Sequence, residues 1–221
     1  LSGNLFAKIA ITSTALKKTM TVSNTSAPAQ PPAPIHIREA SSDEDIAAVA
    51  ELGSHVFDVT FSHSCSAEEM RAYLDECFSF EAIAKDVADP AKDIIVATTT
   101  ATTTKSAEGG QDPAQEQVIV GFAQLTRGTT EPCLAHVDSL VELQRLYVHP
   151  AFHGRRIGKL LAERVEHMAR EQGFRNIWLG VWEENMTAHG LYLKLGYKRV
   201  GEHVFDVGGN IQTDWVMVKG L

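Results

Sequence analysis

Apolar and polar residues change their period several times along this chain, and each change marks an element. Ile35-His36-Ile37-Arg38 alternates with the period of a short strand, and Ser42-Asp43-Glu44-Asp45 then caps a helix that carries Ile46, Val49 and Val56. A helical pair follows, from Ser66 through Met70 and Tyr73 and from Ser79 to Val87, before the apolar run Asp93 to Ala97 predicts a strand. Residues 98–116 are rich in Thr, Gly and Gln and predict a long hairpin loop ahead of a strand at Val118 to Leu125. Val137 to Val148 predicts an extended apolar segment stopped by Pro150, after which Ile157, Leu160, Leu161, Val165 and Met168 recur at helical spacing up to Gly173. A strand at Ile177 to Val181, a helix from Asn185 to Leu195 ended by Gly196, and strands at Tyr197 to Val207 and Ile211 to Val218 complete the pattern. The order reads β-α-α-β-β-β-α-β-α-β-β, without internal repeat, which places the chain in the α/β class.

Composition narrows the function classes. With 221 residues, 44% of them hydrophobic, the chain supports one domain with a full core. Charged residues make up 22%, and no apolar run approaches the roughly 18 to 20 residues a membrane-spanning helix needs, so neither overall disorder nor a membrane partner is expected. A net charge of −8 has the wrong sign for a general nucleic-acid binder and suits a cationic partner. Residues 1–34 hold Lys8, Lys17 and Lys18 and no acid, leaving 17 basic against 28 acidic residues, or −11, from residue 35 on. Within this leader, Thr21 to Pro34 is small, polar and proline-rich and reads as a linker to a domain spanning 35–221. Met20 is a candidate start. Residues 1–19, if native, have the acid-free, lysine-bearing character of a weak transit segment, so a mitochondrial address stands beside the cytoplasmic one. Cys65, Cys77 and Cys133 are odd in number and lack a Cys-x-x-Cys pair, which points to a reducing compartment and to no metal site.

The chemistry concentrates in Leu146-Tyr147-Val148-His149-Pro150-Ala151-Phe152-His153-Gly154-Arg155-Arg156-Ile157-Gly158-Lys159, a strand, a basic glycine-containing turn and a helix start. Such a turn offers free N–H groups and the positive end of a helix to an anion, and Arg155, Arg156 and Lys159 add charge. The spacing is wrong for a nucleoside-triphosphate P-loop, because Gly154 and Gly158 are one residue too close and Leu160 follows Lys159.

His153-Gly154-Arg155-Arg156-Ile157-Gly158 resembles the acetyl-coenzyme A loop of the GNAT superfamily of N-acetyltransferases, Gln/Arg-x-x-Gly-x-Gly/Ala after a Val-His-Pro-like turn. His153 stands in place of Gln/Arg, and Arg156 replaces the first glycine of the pattern, where a side chain crowds the backbone approach. Asn185-Met-Thr-Ala188-His-Gly-Leu191-Tyr192-Leu-Lys194-Leu195-Gly196-Tyr197 is similar to a second segment of that family, Asn-x-x-Ala-x-x-Leu-Tyr-x-Lys-x-Gly-Phe/Tyr. Thr60-Phe61 with Glu68 to Phe80, and Gln212-Thr213-Asp214 to Met217, look similar to its polyamine-type subgroup. The resemblance implies a GNAT fold, a mixed and mostly antiparallel sheet flanked by helices. It implies acetyl-coenzyme A as cosubstrate, with no metal, and a small-molecule amine as acceptor.

By the same resemblance, backbone groups of Leu146, Tyr147 and Val148 pair with the pantetheine arm. His153, Gly154, Arg155, Arg156, Ile157, Gly158 and Lys159 hold the pyrophosphate, Asn185 and Lys194 add cofactor contacts, Tyr192 protonates the leaving thiolate, and Glu142 is the general base, with Asp138 as fallback. Each pick has a plainer reading. Tyr192 could be a core tyrosine, Glu142 a solvated strand residue, Lys194 a surface lysine, and Cys133 a structural thiol in place of an acyl carrier. Acetylation of a protein lysine or N-terminus stands as the rival activity and acyl-coenzyme A sensing as the rival class. The oligomeric state is open, a homodimer included.

Overall fold

The structure is a computed structural model that describes residues 33–63, 65–102, 115–207 and 210–221. The leader, apart from residues 33 and 34, and the middle of the expected hairpin loop, residues 103–114, lie outside the described residues. The first strand is β1 (His36–Glu39), and Ser42 opens α1 (Asp43–Phe61). Ser42 Oγ accepts the Asp45 N–H while the Asp45 carboxylate accepts the Ser42 N–H, satisfying two donors a helix start leaves over. Arg38 donates two guanidinium bonds of 2.6 Å to the same carboxylate, which staples β1 to α1 and holds the Asp45 carboxyl down at about 2.

The expected helical pair is two separate helices, α2 (Ala67–Phe78) and α3 (Phe80–Ala88). They meet at Ser79, which ends the first and caps the second by accepting the Ala82 N–H. The element order therefore gains a helix. β2 (Lys92–Thr102) and β3 (Gln115–Thr126) run longer than the apolar pattern predicts, and Thr98 to Thr102, expected in the loop, pair with residues of β3. Threonine's hydroxyl makes such a run look loop-like, while its β-branched stem favours a pleated surface. β4 (Leu140–Val148) begins three residues later than expected, after a 3-10 turn at Pro132–Leu134 and a left-handed Ser139. α4 (Ile157–Glu171), β5 (Asn176–Trp182), α5 (Met186–Leu195), β6 (Lys198–Val207) and β7 (Asn210–Gly220) follow, with Gly196 ending α5 at φ 94°.

The strands form one sheet in the order β1-β2-β3-β4-β5-β7-β6, antiparallel at every pairing except β4–β5. This is an α/β fold with a mixed, mostly antiparallel sheet flanked by helices. α1, α2 and α3 bury Val49, Val56, Phe57, Phe78 and Ile83 on one face, and α4 and α5 bury Leu161, Val165 and Tyr192 on the other. No helix among the described residues is long and apolar enough to cross a membrane.

Two irregularities shape the middle of the sheet. β4 pairs with β5 only from Leu140 to Glu142; beyond that it stays with β3 as far as Val148 while β5 stays with β7 as far as Trp182, so the sheet opens between them. The register of β3 against β4 also jumps from Leu125–Leu143 to Gln124–Arg145, which makes Gln144 an extra residue in β4. Strict alternation would separate Glu142 from Arg145 and Tyr147. The bulge brings them to the face covered by α1 to α3, where Arg145 reaches Asp86 of α3 and Tyr147 packs on Phe78 of α2.

Candidate active site

Past Val148 the chain makes a 3-10 turn at Pro150–Phe152, which His149 caps by accepting the Ala151 N–H at Nδ1. His153 Nε2 lies 2.9 Å from the Val148 carbonyl. A carbonyl only accepts, so this nitrogen carries the proton and ties the turn back to the end of β4. Gly154 follows at φ 81°, and a Cβ there would meet nothing within 4 Å, so this stretch of backbone faces open space. Arg156, at φ 62°, takes the left-handed conformation that favours glycine.

Arg156 is also the N-cap of α4, and it makes no side-chain capping bond. Ser42, Ser66, Ser79 and Asn185 cap the other four described α-helices with side-chain oxygens. The first N–H groups of α4 thus border a cavity of about 710 Å³. The cavity continues as a groove between two helical stripes, Lys159, Glu163 and Glu166 of α4 and Thr187, Leu191 and Lys194 of α5, and Lys219 of β7 also lines it. Its four lysines and arginines outnumber its two glutamates, one of which, Glu166, accepts from Lys219 at 2.6 Å. An anionic, elongated ligand fits both the charge and the uncapped helix.

Of the residues expected from sequence, Val148, His153, Gly154, Arg156, Ile157, Gly158, Lys159 and Lys194 line this one cavity. Leu146 and Tyr147 lie on the stretch of β4 that pairs with β3 but not with β5, their side chains in opposite cores. Arg155 turns elsewhere, donating to the Ala33 carbonyl at 2.5 Å. Asn185 uses its side-chain oxygen on the Ala188 N–H and so fixes the start of α5. Asp138 is exposed, two residues before β4, at the closed end of the sheet opening. Sequence reading passed over Glu166, Thr187, Leu191 and Lys219. The first three could have been found, since each stripe repeats at i, i+4 and i+7 from a residue already chosen or adjacent to one.

Tyr192 is fully buried on α5, its hydroxyl has no hydrogen-bond partner among the described residues, and burial pushes its phenol well above the ordinary tyrosine range. It therefore carries its proton at every physiological pH. Glu142 is buried as well, at 2% exposure, which overturns the plainer reading of a solvated strand residue. Burial raises its carboxyl to about 7; nearby Thr129 pulls it down, Glu131 pushes it up, and Arg145 and Lys92 pull it down. Among the described residues Glu142 Oε2 has no hydrogen-bond partner. Burial also pushes up the Cys133 thiol, which touches the backbone at Gly201 and lies far in character from an activated nucleophile.

A family model described as the acetyltransferase (GNAT) family matches residues 67–197. An N-acetyltransferase of Mycobacterium tuberculosis without assigned activity is 29% identical over 178 residues, covering 80% of this chain and 97% of that protein. Among solved structures, the PaiA N-acetyltransferase of Thermoplasma acidophilum, determined with coenzyme A, superposes with a TM-score of 0.58 at 22% identity over 85% of this chain and 99% of its own. YncA of Salmonella typhimurium, determined with acetyl-coenzyme A, gives a TM-score of 0.55 at 20% identity over 85% of this chain and 94% of its own. With the family match spanning more than half its length, over the sheet opening, the uncapped helix and the α4–α5 groove, this chain belongs to the acetyltransferase (GNAT) family.

Proposed function

We propose that the protein transfers acetyl from acetyl-coenzyme A to a primary amine by direct attack, and that the acceptor is a small polyamine-like cation. The observation that carries the reading is the uncapped N-terminus of α4 beside the opening of β4 from β5, with the basic groove between. The N–H groups from Gly158 onward, with Arg156 and Lys159, neutralise the pyrophosphate. The main chain of Leu146 to Val148, unpaired toward β5, orients the pantetheine arm and polarises the carbonyl.

When bound, acetyl-coenzyme A supplies an activated acyl thioester. The amine nitrogen forms a bond to the acetyl carbon as the carbon–sulfur bond breaks. Glu142, in its ionised form, takes the proton the amine gives up, directly or through water, and Tyr192 donates its phenolic proton to the departing sulfur. A carboxyl of about 7 is ionised above that pH, so the rate rises with pH through 7. The domain charge of −11 favours a cationic acceptor over a neutral one.

The test is Tyr192→Phe, which removes one unpartnered hydroxyl. It should bind coenzyme A as the parent does and lose roughly 10²- to 10⁴-fold in turnover, with products followed by mass spectrometry over polyamines, amino acids and peptides. A turnover within twofold of the parent, with chemistry limiting, removes Tyr192 from this role. Faster acetylation of a peptide than of every polyamine replaces the small-amine reading with the protein-acceptor one.

A further inference from the structure

The turn that follows β4 borders a cavity on each of its sides. Phe152, His153 and Gly154 line the cavity at the start of α4, whereas His149 lines a second one, of about 540 Å³, walled by α1, β2 and β3. There the His149 ring stacks on that of His55 of α1, with centroids 5.2 Å apart and planes 28° apart, and its edge meets the Phe152 ring at 5.7 Å. The main chain is fixed as well: the His149 N–H donates to the Val120 carbonyl and its carbonyl accepts the Phe152 N–H, both at 2.9 Å. A backbone N–H only donates, so His149 Nδ1, which accepts the Ala151 N–H at 3.1 Å, holds a lone pair. The turn in this shape requires a neutral ring. A proton on Nδ1 sets two donors face to face, surrenders the Ala151 N–H to water and places a positive ring against His55.

The surroundings decide how readily that proton is taken. Around the second cavity α1 contributes Glu44, Asp45, Glu51 and His55, β1 Arg38 and β3 Glu116. Asp45 is committed to Arg38 at 2.6 Å, and Glu44, Glu51 and Glu116 are exposed, so solvent screens their pull on a proton. Burial pushes the His149 imidazole below the ordinary histidine range, and the charges of His55 and then His153 push it further. The closed turn therefore takes the proton less readily than an open one, and falling pH favours opening. His153 acts in the opposite sense, since it lines the cavity at the start of α4, where a proton on it favours an anion. Phe152 joins the two sides: its ring touches His149, lines that cavity and lies 5.5 Å below the Arg155 guanidinium.

We infer that His149 is a positioning residue for the cofactor: stacked on His55, its neutral ring holds the turn in the shape that coenzyme A binds, and a proton on Nδ1 releases both. This inference rests on the placement of coenzyme A at the α4 N-terminus. The experiment is calorimetric titration of coenzyme A into the parent and His149→Asn at about pH 7.5 and about pH 5. Asparagine keeps an oxygen to accept the Ala151 N–H and has no proton to gain. Histidine-ring and amide NMR over the same range, in the parent and His55→Gln, follows the His149 proton and the Ala151 amide directly.

On acidification the parent should lose at least roughly fivefold more affinity than His149→Asn, about 1 kcal/mol, the size of one lost cap. The cofactor's own phosphates and His153 titrate in both proteins, so the comparison removes them. His55→Gln should move the His149 midpoint upward, because it removes one of the charges that oppose the proton. Equal pH dependence in parent and His149→Asn, or a His149 midpoint unmoved in His55→Gln, overturns the inference. A parent that binds no coenzyme A at either pH overturns the cofactor placement instead, and exchange of the Ala151 amide then decides. Protection lost as His149 titrates supports the inference, and protection unchanged across that titration overturns it.

Discussion

Glu142 and Arg156 are the residues at which local physical cost and function meet. An unfolded glutamate ionises near 4.5 and the folded Glu142 near 7, so between those values the native state holds a proton the unfolded chain has lost. Stability attributable to this residue therefore falls as pH rises through that window, and the full cost, on the order of 3 kcal/mol as an upper limit, applies above it. Glu142→Gln should raise the unfolding free energy at pH 8 by up to that amount and change it little at pH 4, while flattening the acid limb of the rate profile. Denaturant melts at the two pH values, paired with initial rates, check both parts, and equal stability at both would place the carboxylate in solvent. Arg156 sits at φ 62°, in the left-handed region that glycine adopts without side-chain cost. Arg156→Gly should hold stability or raise it by up to about 1 kcal/mol, and Arg156→Val should lower it. A loss in the glycine variant, measured by thermal melts, would mean that the Arg156 side chain contributes more than its backbone costs.

At the scale of elements, the two devices that make the site are the bulge at Gln144 and the early parting of β4 from β5. Neither is legible in sequence, because both are statements about a partner strand: Val141 to Val148 reads the same whether or not β5 follows it. Single-element signals fared better. The Ser42 capping box, the Gly196 stop and most of the α4 stripe depend only on neighbours three or four residues away, and the structure places them where the pattern does, except that Leu160 of the α4 stripe is 40% exposed. The Thr98 to Thr102 run misled because its hydroxyls hide a β-branched strand.

The helical layer on the other face is packed tightly enough to test. A Cβ at Gly53 of α1 would lie 2.3 Å from the Phe78 ring of α2, which in turn packs on Tyr147 and lies under the Arg145 guanidinium. Gly53→Ala should cost roughly 1 to 3 kcal/mol by overpacking, and Phe78→Leu in the same chain should recover part of it, as a double-mutant cycle would show. Additive losses would mean the two residues do not meet.

Taken whole, the molecule carries a basic groove between α4 and α5 on one face of its sheet and a helical layer of α1, α2 and α3 packed over the other. The −8 overall charge conceals this division, because the groove's cations are outnumbered elsewhere in the chain. Sequence motifs could reveal the groove, since Gly154 to Lys159 and Asn185 to Tyr197 are contiguous. The core under α1 to α3 joins Phe61, Tyr147 and Trp182 from three separate elements, which only the fold brings together.

The central claim is that the α4 N-terminus holds coenzyme A, and calorimetric titration of acetyl-coenzyme A into the parent and Gly158→Trp tests it most directly. Gly158 lies in the first turn of α4 and lines the cavity, so an indole there fills the space where the pyrophosphate would approach. The account predicts one binding site in the parent and an affinity at least roughly tenfold weaker in the variant, about 1.4 kcal/mol, with circular dichroism unchanged. Equal affinity in the two folded proteins would contradict it.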